Sequence, residues 1–439
     1  MKTLALISYG CAKNLVDSEI MLGYLNKAGY TFVSNSEKAD TVIINTCGFI
    51  QPAKEETLEA LQKAVDQKSR GKVKQIIAAG CFVERYKDNL IKKFPQIDIW
   101  LGVNDFDKIV QAVESKPFKK SKKCFLYNHT SPRYFSTPPV WTYIKISEGC
   151  SHECSFCSIP LIKGSYRSRT IPSIIREAEH IAALGVKEIN IVSQDTTYFG
   201  RDIGLNKGLT LLLKELLMIK GIEWIRILYG YPEEISESLL EIMREKKICP
   251  YLDIPLQHSE TKIIKKMKRA MNGERALKLI RKIRKKVPSI ALRTSLVVGF
   301  PGEGKEEFDN LKRFCKKARF DHLGVFTYSQ EEGTSSFSLG DPVEESEKTR
   351  RKEELMQIQA DISLKNNHKY LNKKIEVLIE GTLKEDPELL VGRTQFQAPE
   401  IDGVVFIPHK GKISKVVNTI QNVEIIDYDT YDLYGKLIR

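Results

Sequence analysis

The chain has 439 residues, a net charge of +13 and a pI of about 9.1, which is length enough for two to four domains of roughly 100–200 residues. No run approaches the roughly 18 apolar residues of a membrane span. MKTLALISYG reads as a buried first strand and not as a signal peptide, so the expected place is cytoplasmic, with no membrane partner. In that reducing compartment nine cysteines exclude a disulfide framework and point to metal ligation or catalysis.

Over residues 1–118 the apolar runs Leu4–Ser8, Thr41–Asn45 and Gln75–Ala79 alternate with helical stretches at Asp17–Ala28 and Ala53–Gln67. That alternation predicts an N-terminal domain with a parallel α/β sheet. The charge run KPFKKSKK and the segment SPRYFSTPP predict a linker, placed at 119–139. From Val140 to about 330 the alternation returns, within a domain placed at 140–370. Strands are expected at Trp141–Ile146, Glu188–Val192, Trp224–Leu228, Tyr251–Ile254, Leu292–Val298 and Leu323–Tyr328, and helices at Pro172–Leu184, Thr210–Lys220, Glu274–Lys286 and Lys305–Ala318. Six βα units make a partial (β/α)6 barrel, since a full one takes eight. A long charged helix follows at 343–370. Over 371–439 the short runs IEVLIEG, LLVGRT, GVVFIP and VEIIDYDTYDLYG predict a small all-β barrel. The fold class is α/β with that appended barrel.

Charge is uneven along this plan. From Asn372 on, nine Lys and Arg stand against eleven Asp and Glu, a net of −2, so the preceding residues carry +15. A basic balance favours nucleic-acid or ribosome contact, but the tail is not a basic arm.

The strongest local signal is Cys150-Ser-His-Glu-Cys154-Ser-Phe-Cys157, a C-x3-C-x2-C directly after the strand at Trp141. Iron–sulfur cubanes are normally held by four thiolates; three leave one iron open to a small molecule. Structural zinc with His152 as fourth ligand is the rival, but closed zinc sites take ligand pairs from two loops, and no second pair exists. Polar groups follow every other barrel strand: Gln194–Thr197, Tyr229–Pro232, Gln257–His258, Gly299–Glu303 and Tyr328–Ser329. Each alone is ordinarily a turn. Together they gather at the C-terminal rim, where such barrels place their active sites. Gly299–Lys305 fits G-x4-G-K, but Glu306 stands where a P-loop needs Ser or Thr.

Cys11, Cys47 and Cys81 each fall right after a predicted parallel strand, and Gly10 and Gly80 precede two of them. Ligands of open α/β sheets bind at those strand ends, while free cysteines are often simply buried; spacing alone leaves both readings open. Cys124, Cys249 and Cys315 lack this context and are expected bystanders.

With Phe156 just before its last cysteine, the C-x3-C-x2-C resembles the radical-SAM superfamily over Val140 to about Tyr328. YGCAKNLVDSE, INTCGF and AGC resemble the N-terminal domain of methylthiotransferases, which have this domain, a radical-SAM domain and a small TRAM barrel in this order. YIKISEGCSHECSFCSIP, DIPLQHS, LRTSLVVGFPGE and GRTQFQAPEIDG look like the RimO branch, which modifies an aspartate of small-subunit ribosomal protein twelve. The branch acting on isopentenyladenosine in transfer RNA is expected to carry GCQMN-like and PVQSGS-like segments instead. Lys163 departs from the usual Arg of the family, keeping the charge without the bidentate fork.

The resemblance implies a [4Fe–4S] cluster on Cys150, Cys154 and Cys157 and a second on Cys11, Cys47 and Cys81. It implies S-adenosylmethionine (SAM) held at Phe156, Gln194, Arg226 and Gln257, with close backbone approach at Gly299. Two SAM molecules would act per turnover: one methylates a sulfur on the second cluster, and the other yields the radical that activates the aspartyl β-carbon. An electron donor such as flavodoxin or ferredoxin and a sulfur donor are implied partners, and no catalytic residue beyond the cluster ligands. A slightly acidic tail suits a basic ribosomal protein better than RNA. The alternatives are the transfer-RNA methylthiotransferase and a non-catalytic iron–sulfur redox sensor that binds the ribosome; a sensor has no need of a SAM pocket.

Overall fold

A computed structural model describes residues 2–48, 50–122 and 125–438; Cys124 lies outside the described residues. The N-terminal sheet has strands β1 (Thr3–Ser8), β2 (Thr31–Phe32), β3 (Thr41–Thr46), β4 (Gln75–Gly80) and β5 (Ile99–Leu101), in the order β2-β1-β3-β4-β5. All its pairings are parallel. Its helices are α1 (Ala12–Lys27), α2 (Gln51–Ser69), α3 (Cys81–Lys93) and α4 (Ile109–Val113). The central strand β3, TVIINT, is buried at every position, as a strand covered on both faces must be. Helix α1 starts at Ala12, five residues before the expected Asp17. Its buried face includes Asn14, Asp17, Ser18 and Glu19, so the apolar period that marks a helix in sequence is interrupted there.

The middle sheet has six parallel strands: β6 (Trp141–Lys145), then, after the short antiparallel pair β7 (Ser147–Glu148) and β8 (Arg167–Ser168), β9 (Glu188–Val192), β10 (Trp224–Ile227), β11 (Ile248–Asp253), β12 (Ala291–Val298) and β13 (His322–Thr327). Their order is β13-β12-β11-β10-β9-β6, a curved sheet with open edges at β13 and β6. Helices α5 (Ile159–Lys163), α6 (Ile171–Ala183), α7 (Gly208–Leu217), α8 (Glu237–Ile242), α9 (Thr261–Lys266), α10 (Gly273–Lys286), α11 (Lys305–Ala318) and α12 (Glu345–Asn367) accompany it. Strand alternation sorts its side chains. Ile189, Ile191, Ile225, Ile227 and Leu252 pack in the main apolar core with the helices. Tyr143, Trp224 and Tyr251 join a second cluster inside the barrel.

The C-terminal unit is a closed barrel of β14 (Lys374–Thr382), β15 (Leu389–Arg393), β16 (Val405–Pro408), β17 (Thr419–Tyr428) and β18 (Leu433–Leu437). The segment between β15 and β16 enters the middle barrel. The carbonyl of Gln395 accepts from Arg226 at 2.7 Å, that of Phe396 lies 2.8 Å from His322 Nε2, and Glu400 and Asp402 accept from the Tyr143 and Tyr251 hydroxyls. GRTQFQAPEIDG is therefore a plug for the barrel interior.

Residues 125–139 hold no helix or strand, yet they are packed. Tyr127 is buried with its hydroxyl on Glu177, and Arg133 bridges Glu19 of α1 and Glu177 of α6. This stretch ties the two sheets together rather than spacing them.

Candidate functional site

Cys11 is the residue before the first turn of α1, and its carbonyl accepts from Asn14 and Leu15. Cys47 follows β3, hydrogen-bonded to Thr57, and Cys81 opens α3. Neighbouring glycines show how tightly these strand ends converge. Gly10 has φ +93°, and a Cβ there would stand 2.7 Å from Cys47 Sγ. Gly48 lies against the backbone of Phe82, and Gly80, at φ +101°, against Asn45 and Thr46. Burial, and then the neighbouring thiols of Cys47 and Cys11, push the Cys81 thiol far up, while Lys163 pulls it down.

The other triad lies in the loop between β7 and α5. The loop is fixed by Cys150 N–H to the Gly164 carbonyl at 3.1 Å and Ser155 N–H to the Met267 carbonyl at 3.0 Å. Burial lifts the Cys150 thiol to about 11 and the Cys157 thiol to about 12. Arg269, just past α9, lies beside this triad: Nη1 stands 3.6 Å from Cys154 Sγ and the guanidinium lies over the Tyr231 ring. His152 is no ligand here, because Nε2 sits 2.6 Å from Asp195 and the ring stacks on Tyr231 at 3.7 Å.

Four buried charges join the elements that carry the triads. Lys145 bonds Asp17 of α1 and, at 2.6 Å, Glu148; Lys163 reaches Asp17 at 3.1 Å and Glu148 at 3.4 Å. Burial pushes Glu148 up, but the two lysines and the Gln194 amide outweigh it and hold its carboxyl at about 2. Burial likewise pulls Lys145 down, and Asp17 and Glu148 more than reverse it. Two cations and two carboxylates neutralise each other where neither pair alone would repay desolvation.

Of the expected SAM-contacting residues, Gln194, Gln257 and Phe156 lie on the rim. Gln194 donates to Glu148 at 2.6 Å and leaves Oε1 buried without a partner among the described residues. Gln257 takes a left-handed conformation, φ 71°, and bridges to β12. Phe156 packs against Met267, Phe300 and Tyr328. The other two sit differently. Arg226 is fully buried inside the barrel, engaged by Glu188, Gln395 and Thr394. Beside Gly299 the close neighbour is the Lys348 stem, 2.5 Å from where a Cβ would stand, while the Gly299 N–H is held by Glu303. Glu303 also pairs with the buried His258 and Arg351, so the GFPGE loop is locked onto α12. Sequence reasoning misses Arg269 and Lys13, because nothing local distinguishes them from other charged residues.

The donor set fits iron–sulfur chemistry. Each triad offers three thiols, with Lys163 near one and Arg269 near the other. Ser155 Oγ, Ser158 Oγ, Gln194 Oε1, Ser259 Oγ and Arg269 Nε are buried and lack hydrogen-bond partners among the described residues, as groups awaiting a ligand do. No three His, Cys, Asp or Glu among the described residues close on a single ion; a cubane, with one thiolate per iron, does not require that.

Three family models match: the uncharacterized protein family UPF0004 over residues 3–102, the radical SAM superfamily over 144–315 and the TRAM domain over 373–438. Among solved structures, the radical S-adenosylmethionine methyltransferase TsrM of Kitasatospora setae matches with a TM-score of 0.53, 13% identity and coverage of 74% of this chain and 73% of that one. The radical enzyme OxsB matches at 0.51 and 12%, covering 81% and 56%. Such identities show the fold alone. Curated relatives are far nearer. The ribosomal protein uS12 methylthiotransferase RimO of Pelobacter propionicus is 42% identical over 99% of this chain and 97% of its own, and that of Aquifex aeolicus 44% over 99% and 96%. With that identity along nearly its whole length, the chain belongs to the RimO family of methylthiotransferases, radical SAM enzymes that work with SAM and a [4Fe–4S] cluster.

Proposed function

We propose that this enzyme adds a methylthio group to the β-carbon of an aspartate in ribosomal protein uS12, using two [4Fe–4S] clusters and two SAM molecules per turnover. The observation that carries this reading is that two three-cysteine sets stand on elements tied together by the buried Asp17–Lys145–Glu148–Lys163 quartet. Cys150, Cys154 and Cys157 would hold one cluster, and Cys11, Cys47 and Cys81 the other. When bound, the clusters and SAM supply radical formation and the sulfur to be transferred, chemistry that no protein side chain provides. The chain's own residues position and shield. The plug at 394–402 fills the barrel interior, Arg269 and Lys163 offset thiolate charge, and Gln194 with Ser155 and Ser259 offers polar contacts at the rim.

The division into residues 1–118, 140–370 and 371–439 matches this labour: sulfur carrier, radical site and substrate contact. The net −2 tail suits a basic protein. Residues 262–320, spanning α9 to α11, hold 19 Lys and Arg against five Asp and Glu, a basic stretch suited to the ribosomal RNA around such a protein. A ribosomal acceptor implies a cytoplasmic enzyme, with flavodoxin or ferredoxin as electron source and a separate sulfur donor.

The test is anaerobic incubation with SAM, sulfide and reductant, offering uS12 and isopentenyladenosine-containing transfer RNA in parallel and reading both by mass spectrometry. A methylthio group on an aspartate of uS12 alone is the expected result. The same mass gain on the RNA alone would refute the substrate assignment.

A further inference from the structure

Lys13, at the start of α1, has an ammonium group that touches an aromatic ring but, among the described residues, no acceptor. It is half-buried and two positions from Cys11. Its Nζ stands 3.4 Å from the centroid of the Tyr229 ring, after β10 on the opposite domain. It makes no ion pair or hydrogen bond among the described residues. The carboxylates that act on it through space are Asp253 and Glu148, and each already has a cation: Arg293 at 3.3 Å from Asp253, and Lys145 at 2.6 Å from Glu148. A cation held this way, beside Cys11 and against Tyr229 of the barrel, is placed to receive an anion.

We propose that Lys13 is a carboxylate-binding group and that its ligand is the side-chain carboxylate of the acceptor residue. This rests on the reading above that the acceptor is an aspartate. The ammonium would donate one or two charge-assisted hydrogen bonds to the carboxylate oxygens, fixing the side chain by its carboxylate end and leaving the adjacent β-carbon free. Asparagine has nearly the same shape but no charge, so it would bind without that anchor. The same group thereby selects the acceptor: neutral side chains gain nothing from it.

The experiment uses the cluster-reconstituted full chain without SAM, so that binding is read without turnover. Its ligands are whole uS12 and uS12 with the modified aspartate, identified from the wild-type product, replaced by asparagine. Wild-type enzyme is expected to bind the aspartate form about tenfold or more tightly, the worth of one charge-assisted hydrogen bond. Lys13→Met should bind both forms alike, at the wild-type affinity for the asparagine form, and Lys13→Arg should keep most of the preference. A preference retained by Lys13→Met would overturn the proposal. So would an equal loss for both forms, which would mean that Lys13 only supports the fold beside Asp253. Wild-type modification of RNA instead of uS12, seen by mass spectrometry, would sink the aspartate reading itself and is a separate failure.

Discussion

Lys163 Nζ stands 3.1 Å from Asp17 Oδ2, joining α5 of the middle barrel to α1 of the N-terminal sheet. Both side chains are almost fully buried, at 4% and 2% exposure. Each follows a cysteine closely, Asp17 after Cys11 and Lys163 after Cys157. The ion pair is therefore a strut between the two thiol sets as well as between two domains.

Replacing Lys163 with Met leaves Asp17 and Glu148 sharing Lys145 alone. Breaking a buried pair in this way costs about 3–5 kcal/mol. The expected readout is local: faster amide exchange in α1 and in the loop bearing Cys150, with the closed barrel β14–β18 unchanged. Lys163→Arg keeps the charge and should stay close to the parent. Equal acceleration everywhere would mean that the strut has no local role.

Gly10→Ala tests whether the N-terminal cysteines form one site. The new Cβ would fall 2.7 Å from Cys47 Sγ at φ +93°, so strain and contact both displace that thiol. Iron per chain after reconstitution should drop by about half, the share of one of two clusters. Gly29→Ala, beyond the far end of α1, is the control, since it has the same kind of strain at φ +84° but nothing lies within 4 Å of the added carbon; it should retain its iron.

Glu188 anchors the plug. Its carboxylate lies 2.8 Å from Arg226 Nε and 2.6 Å from Arg393 Nη2, all fully buried. Burial pushes its pKa up, but Arg393 and Arg226 outweigh that and leave it below the ordinary carboxylate value. A carboxyl lowered on folding stabilises above its unfolded pKa of about 4.3, and this stabilisation fades as pH falls through the folded value. Glu188→Gln should lower stability by about 3–5 kcal/mol at neutral pH. The gap from wild type in thermal melts should hold steady above about pH 5 and narrow at lower pH. A gap that widened on acidification would contradict the assignment.

What is legible in the sequence is local. Strands with period-two or fully apolar runs, and cysteines at their ends, appear in the fold where the pattern puts them, because short parallel strands buried on both faces tolerate little else. The exceptions have a common cause. Periodicity starts helix α1 too late because Asn14, Asp17, Ser18 and Glu19 are buried for partners elsewhere in the fold. Arg226 has the sequence position of a cofactor contact, on a barrel strand near the rim, yet its partners Thr394 and Gln395 lie 168 and 169 positions away. Gly299 has the positive φ expected of a close approach, and a Cβ there would meet the Lys348 stem, a neighbour 49 positions on that the sequence does not announce. Glu331, after β13, is a further case: it pairs with Lys54 at 2.7 Å and with Arg85, clamping α2 and α3 onto the barrel. Such long-range ion pairs leave no periodic trace in sequence.

The most direct test separates the two cysteine sets. Reconstituted Cys47→Ala and Cys154→Ala would each be incubated with SAM, reductant and uS12, and 5′-deoxyadenosine and methylthiolated protein measured in the same reactions. Two distinct clusters with divided roles predict that Cys47→Ala still cleaves SAM but forms no methylthio product, whereas Cys154→Ala does neither. Normal methylthiolation by Cys47→Ala, or SAM cleavage by Cys154→Ala, would contradict it.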